Sequence, residues 1–521
     1  MSEQRYPWFT KGDLNAFFGL MLDNFANLVL LTGILVGAGF DKAFIFTHMI
    51  PGTALGVMIG DLAYSWMARR VAKRTGNNNV TAMPLGLDTP STIGVAIAVL
   101  IPVFIAAGGG HEGKVDATLR ENAQMMAWQV GMATLILIGL VKLTLSFAGD
   151  WIRRIVPQAG LLGSLVGIGI ALLGTLPLLH VFGLPIVGLV SLGLVLATLV
   201  AKIELPGKLP GAAVAVIGGT VVYYVLGGAG VLGDHFQIPA LELHFALPLP
   251  TLGFIDGLES ALKFLPVAIP FGLLTVVGGI NVTESARVAG DDFKTRDILL
   301  TDAVGTIVAG LTGGVAQSTP YIGHPAYKSM GGRSGYTLAT GLFVGLGGIF
   351  GFVSFIVDAI PAAAVAPILI FVGLEIVSQT YEISPKRHFP AITLATLPSV
   401  AYLLMFNVDN ALASAGAARP EGLFTLTVVG NGFILTAMLW GAIGAHLADR
   451  NLGKAAIFAG VCAAFSLFGI THSVVPFGAL YLPGTTDSSM PLQLAAGYGA
   501  FAVVLLVLGA LGRKQQGQAE S

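Results

Sequence analysis

AMPLGLDTPS at residues 82–91 and STPYIGHPAY at residues 318–327 read as one device built twice. Each interrupts an apolar segment with two prolines and a glycine. Each sets an ionisable residue four positions after its first proline, Asp88 after Pro84 and His324 after Pro320. Proline removes a backbone donor and blocks regular helix, so at membrane depth the freed polar groups need protein, ligand or water. Interrupted segments at matching places in two halves point to the binding site of a transporter. The second prolines, Pro90 and Pro325, fall at different offsets, and the competing reading is two unrelated loops.

Composition supports the membrane premise. Of 521 residues, 55% are hydrophobic and 11% charged, and the mean hydropathy is +0.82. A soluble domain carries roughly 25% charged residues. A net charge of −1 gives no basic surface for nucleic acid. The single cysteine, Cys462, excludes an intrachain disulfide and a CxxC metal site. No paired metal ligands, P-loop, HExxH or GxSxG element stands in the context that chemistry requires, so no metal site and no enzyme is expected. The polar start MSEQRYPWFTKGDLN lacks the short apolar core of a removed signal peptide.

Apolar segments run near 14–37, 44–68, 80–108, 123–147, 155–179, 183–201, 210–232, 263–283, 297–313, 317–332, 336–358, 361–379, 389–407, 424–447, 454–470 and 491–511. The third and tenth are the broken ones. With the termini, alternate connections hold 21 of the 27 basic residues, from RRVAKR (69–74), Arg153, Arg154, Lys202 and Lys208 to Arg450 and Lys454. The positive-inside rule therefore predicts both termini in the cytoplasm, in the inner (plasma) membrane of a bacterium. The linker 233–262 follows seven crossings, an odd number, so the second half enters with inverted topology. RIVPQAGLLGSLVGIGIALLG (154–174) echoes DAIPAAAVAPILIFVGLEIVS (358–378), aligned on Pro157 and Pro361, at the fifth crossing of each half. The segments from 454 to 511 have no counterpart in the first half and read as an appendage.

LLTDAVGTIVAGLTGGVAQSTPYIGHPAYKSMGGRSGYT (299–337) resembles the nucleobase–ascorbate transporter family, the xanthine/uracil permeases, and within it the hypoxanthine/guanine branch. The shared elements are DAVGT at 302–306, the Tyr321–Ile322 pair and GGRxG at 331–335. FPAITLATLPSVAYLLMF (389–406) is similar to the penultimate core helix of that branch. The resemblance implies an all-α polytopic 7+7 inverted-repeat fold. Its core domain would be 14–147 and 263–358, and its gate domain 155–232 and 361–447. Helices 3 and 10 would be broken by short extended pieces, and the appendage 454–511 would follow. It further implies a small-molecule substrate held between the broken helices, a homodimer through the gate domain, and no cofactor beyond a coupling proton or sodium ion.

The residues themselves indicate how such a site would work. Extended pieces at Leu85–Thr89 and Gln317–Gly323 leave backbone donors and acceptors for a planar heterocycle, and Gly86 and Gly323 permit close approach. Candidate substrate contacts are Asn27, Asp88, Thr89, Thr275, Tyr321, Gly323 and His324. Asp88 is equally a helix N-cap. The resemblance places an acidic substrate-binding residue where this chain has Thr275. It places a second carboxylate where this chain has Gly323 or His324. Both carboxylates are absent, which favours a more electron-rich or anionic ligand. Asp23, one helical turn from Asn27, is the candidate for a displaced coupling carboxylate, with a helix–helix clamp as the alternative. Asp302 is expected to tie its helix to neighbours. Asp61 and Glu375 are expected to reach interfacial water. Lys328 and Arg333 are either anchors at the cytoplasmic face or an electropositive exit. The function expected is secondary active transport of a purine-like nucleobase or related heterocycle, with an organic or inorganic anion as the alternative cargo.

Overall fold

The computed structural model describes residues 6–111, 113–147, 158–206, 209–238, 242–321, 323–415, 419–475 and 478–519. Arg5, Arg153, Arg154, Pro157, Lys208 and Ile322 lie outside the described residues. Each of the sixteen apolar segments contains helix. Among the described residues ten helices are long and apolar enough to cross a membrane, or twelve if each bent pair is one span. The chain divides into two compact units. One comprises residues 1–149, 176–262 and 271–371, and the other 150–175, 263–270 and 372–521. Residues 176–232 and 361–371, both within the segments expected to form the gate domain, fall together in the first unit, where Ser191 Oγ donates to the Ala364 carbonyl at 2.6 Å.

In the first unit the Lys11–Ala38 helix shows how local chemistry sets position. The amide and hydroxyl of Thr10 both donate to Asp13 Oδ2, at 2.6 and 2.8 Å, which satisfies the start of the helix. The other oxygen, Oδ1, accepts from the backbone amides of Arg333 and Tyr336 at 2.8 and 3.0 Å. One buried carboxylate therefore fastens the first helix to the GGRxG segment.

Two segments expected to be continuous helices are bent. Gly335–Phe350 and Phe352–Ala359 meet at 96°, and the helices on either side of Asn431 and Gly432 meet at 62°. The hinge glycines, Gly351 (φ 79°) and Gly432 (φ 69°), are left-handed. Another stretch of chain occupies the side-chain position at each, the His244 backbone at Gly351 and the Ile470 carbonyl at Gly432. The linker is also not wholly irregular. Its residues Gly253–Leu262 form a helix, held to the Ala117–Leu145 helix by a bond from Gln129 Nε2 to Asp256 Oδ2.

In the second unit the Gln158–Ile168 helix packs through Gly163 on Ala395 and through Gly167 on Ser399, the small-residue contact that membrane helices use in place of a hydrophobic driving force. The appendage helices, Leu452–Leu467 and Met490–Ala519, belong to this unit. Leu439, Ile443, Ala459, Cys462 and Leu505 form their buried seam. The Trp440 indole donates to the Tyr498 hydroxyl at 2.7 Å, and that hydroxyl also bonds His472 Nε2 at 2.7 Å.

Candidate substrate and coupling site

The two interrupted stretches meet. Leu85–Leu87 (β1) and Ser318–Pro320 (β2) form a two-stranded antiparallel pair, Gly86 opposite Thr319. Helix resumes after each, over Thr89–Ala106 and over His324–Ser329. Pro90 and Pro325 lie in the first turns, where the lost N–H would have no intrahelical partner in any case. Asp88 caps the first of these helices, accepting from the Ser91 amide at 3.0 Å, and its Oδ2 also accepts from Gln317 Nε2 at 3.3 Å. Thr89 is buried in the first turn.

One face of the first helix lies on β1. Asn24 Oδ1 accepts from the Leu87 amide at 3.0 Å. Asn27 Nδ2 donates to the carbonyls of Asp23 and Leu87, at 3.0 and 3.4 Å. The Asp23 carboxyl is hydrogen-bonded by the Tyr321 side chain. Its Oδ2 lies 3.2 Å from the point where a side chain at Gly86 would begin. Asp23 Oδ2 and Asn27 Oδ1 are both buried and have no hydrogen-bond partner. Asp61 flanks the same strand from the Ile50–Thr75 helix, its carboxyl turned to the Leu85 amide. Asp61 is fully buried, which corrects the expectation that it reaches interfacial water. Its helix passes beside β1, with Gly60 packed on Leu85, rather than ending at the membrane surface there. Glu375 is exposed.

Two expected contacts are turned to other partners. The Thr275 hydroxyl donates within its own helix, to Phe271 O at 2.9 Å and Gly272 O at 3.1 Å. The fully buried His324 directs Nε2 at Asp291 Oδ2 and at the Thr81 carbonyl, each 3.2 Å away, while Nδ1 has no partner. Asp291 also accepts from Lys328 Nζ at 2.6 Å and from the Thr81 amide at 3.0 Å. Burial pushes the Asp291 carboxyl up, but the hydrogen bonds from His324, Lys328 and Thr81 outweigh it and hold the group below the usual carboxylate range. This cluster binds the loop after Leu265–Val288 to the second broken segment and to the approach to the first. Gly323 gives room to the rings of Tyr321 and Tyr327, which an added side chain would meet at 3.1 and 3.0 Å.

A second cluster was hidden in the sequence. Lys142, buried in the Ala117–Leu145 helix, reaches Asp302 Oδ2 at 2.6 Å, the Ser318 carbonyl at 2.9 Å, Thr306 Oγ1 at 3.0 Å and Gln317 Oε1 at 3.3 Å. Asp302 and Thr306 are the ends of the DAVGT run, so that run forms half of a buried polar node beneath β2. Asp13, Asp291 and Lys142 had no distinguishing sequence signal beyond being charged residues in or beside apolar segments. For Lys142 that signal was enough to mark a buried partner.

No protein-family model matches the chain. A Methanocaldococcus jannaschii protein named a permease is 24% identical over 317 residues, 55% of this chain and 68% of that one. The guanine/hypoxanthine permease of Escherichia coli O157:H7 is 24% identical over 392 residues, 68% of this chain and 76% of that one. Among solved structures, SLC26A9 superposes with a TM-score of 0.53 and 13% identity over 77% of this chain and 65% of that chain. At that identity the likeness concerns the fold, which is the 7+7 inverted-repeat membrane fold.

Proposed function

We propose that this protein is a secondary active transporter that moves a purine-like nucleobase across the membrane by alternating access, with Asp23 as the proton-coupling group. The observation that carries this reading is two buried acceptors without a partner on one face of the first helix, Asp23 Oδ2 beside Gly86 and Asn27 Oδ1, whose own Nδ2 reaches the Leu87 carbonyl. Both atoms accept hydrogen bonds and neither donates. A ligand completing them must offer N–H groups, as the amide edge of guanine or hypoxanthine does. Sulfate or a simple carboxylate offers only acceptors and would meet a carboxylate. The names of the two aligned permeases agree with transport, and one of them with this ligand class.

The alternative cargo, an organic or inorganic anion, is favoured by a different observation. Thr275, Gly323 and His324 stand where the resembling family carries carboxylates, so the site has less negative charge than a neutral base would meet there. Thermal-shift measurements on the purified protein with purines, pyrimidines, urate, carboxylates and sulfate separate the two. Stabilisation by guanine or hypoxanthine, and by neither sulfate nor a carboxylate, is the expected result. Stabilisation by sulfate or a carboxylate, and by no base, would replace the nucleobase reading with the anion one.

A further inference from the structure

The four oxygens around the Lys142 ammonium are a carboxylate, a hydroxyl, a side-chain amide and a backbone carbonyl, from Asp302, Thr306, Gln317 and Ser318. None comes from the helix that carries the lysine. They belong to the Thr295–Leu311 helix and to the stretch at β2. An all-oxygen set of this kind suits a hard cation. Asp302 is the one carboxylate in direct contact, with Asp88 a further step away behind Gln317, and one directly held carboxylate fits a monovalent ion rather than a divalent one. Lys142 and Asp302 are each about 1% exposed, so an ionised carboxylate there needs a cation beside it.

We infer that the Lys142 ammonium is a tethered cation filling a monovalent-cation site built by Asp302, Thr306, Gln317 and Ser318. The lysine does in one chain what a bound sodium or potassium ion would do, and the wild-type site needs neither. The occupant also has a mechanical role. Gln317 turns its Oε1 to the cation and its Nε2 to Asp88. Asp88 in turn caps the helix that resumes after β1. Whatever fills the site therefore sets the orientation of Gln317 and couples the two broken segments.

Removing the ammonium leaves the donor set intact around an unmatched buried carboxylate, a situation that is strongly destabilising unless a counter-charge enters. Lys142→Ala should recruit that charge from solution. The test is the melting temperature of purified Lys142→Ala, without any substrate, in choline, sodium and potassium chloride at equal ionic strength. Because no substrate is present, the outcome is independent of the cargo proposed above. The expected result is a melting temperature well below wild type in choline. It should rise saturably with sodium or potassium, as mass action requires of a ligand that binds only the folded state. The two salts identify which ion fits, and wild type should respond to neither. The double variant Lys142→Ala/Asp302→Asn removes the unmatched carboxylate and should fold without a cation response. Should Lys142→Ala aggregate in choline, its recovery in sodium or potassium becomes the readout. Aggregation in all three salts while the double variant folds would overturn the inference. So would a folded single variant indifferent to the cation, or a response of equal size in wild type or in the double variant.

Discussion

Gly86→Ala tests the open-acceptor site with a single methyl group. The added carbon would lie 3.2 Å from Asp23 Oδ2 and 3.9 Å from both Asn24 Nδ2 and Leu20 Cδ1. Only the first contact is tight, and relieving it requires a shift of a few tenths of an ångström. The Asp23 carboxyl can supply that shift by turning about its terminal torsion, which is broad and soft. The cost to folding should therefore fall at or below the low end of the overpacking range, about 1 kcal/mol. The cost to binding should be larger. An acceptor turned away from a buried ligand N–H leaves that donor unsatisfied, about 1–3 kcal/mol, which is roughly 5- to 150-fold in Kd. Equilibrium binding of radiolabelled hypoxanthine to purified protein reads the second quantity, and the melting temperature without ligand reads the first. Near-wild-type affinity in a folded Gly86→Ala protein would remove Asp23 Oδ2 from the ligand site.

Asp23→Asn should abolish accumulation driven by a pH gradient in proteoliposomes while leaving equilibrium exchange of substrate largely intact. Retained concentrative uptake on a proton gradient alone would exclude Asp23 as the coupling group. The Asp291 carboxyl is held low in the folded protein, so its contribution to stability is present above the unfolded value near 3.9. That contribution is lost as pH falls through the lower folded value. Asp291→Asn should accordingly lower the melting temperature at neutral pH and flatten the loss of stability below about pH 4, and an unaltered acid limb would show that the cluster does not carry it. Gly351→Val places a branched residue at φ 79° against the His244 backbone. It should cost more than the roughly 1–3 kcal/mol of backbone strain alone, read as reduced folded yield and melting temperature.

The fold was readable where proline and glycine punctuate apolar runs. Pro84, Gly86, Pro320 and Gly323 marked the extended stretches because their effect is local and needs no knowledge of what packs nearby. The bends at Gly351 and Gly432 were not readable. A lone glycine in an apolar run serves equally for packing, and here the reason for it is a loop arriving from far along the chain. The same division holds for side chains. Asp88 as a cap followed from its place before Thr89-Pro90-Ser91. The partners of Lys142 lie 160 to 176 residues away, and those of His324 on segments that only the fold brings together. His324 aligned well by sequence as a ligand residue, yet its Nε2 faces Asp291 and Thr81.

The arrangement of charge narrows how coupling can work. Among the described residues the buried carboxyls are Asp13, Asp23, Asp61, Asp291 and Asp302. Asp13 is held by backbone amides, Asp291 by Lys328 and His324, and Asp302 by Lys142. Each of those is held in place by a cation or by backbone amides. Asp23 and Asp61 face neutral donors instead, Tyr321 and the Leu85 amide, and neither Asp61 oxygen closes a full hydrogen bond. The two donors differ in one respect. A phenol both donates and accepts, whereas an amide N–H only donates. A protonated Asp23 can give its proton to the Tyr321 oxygen after that hydroxyl turns, while its Oδ2 continues to accept from a ligand N–H. A protonated Asp61 has no such acceptor in the Leu85 amide. On the proposed reading of Asp23 as the coupling group, proton and ligand would occupy it together, and Tyr321 would be the residue that permits it. Tyr321→Phe should keep substrate exchange but lose most of the accumulation driven by a pH gradient. Wild-type accumulation by Tyr321→Phe, together with its loss in Asp61→Asn, would move the coupling group to Asp61.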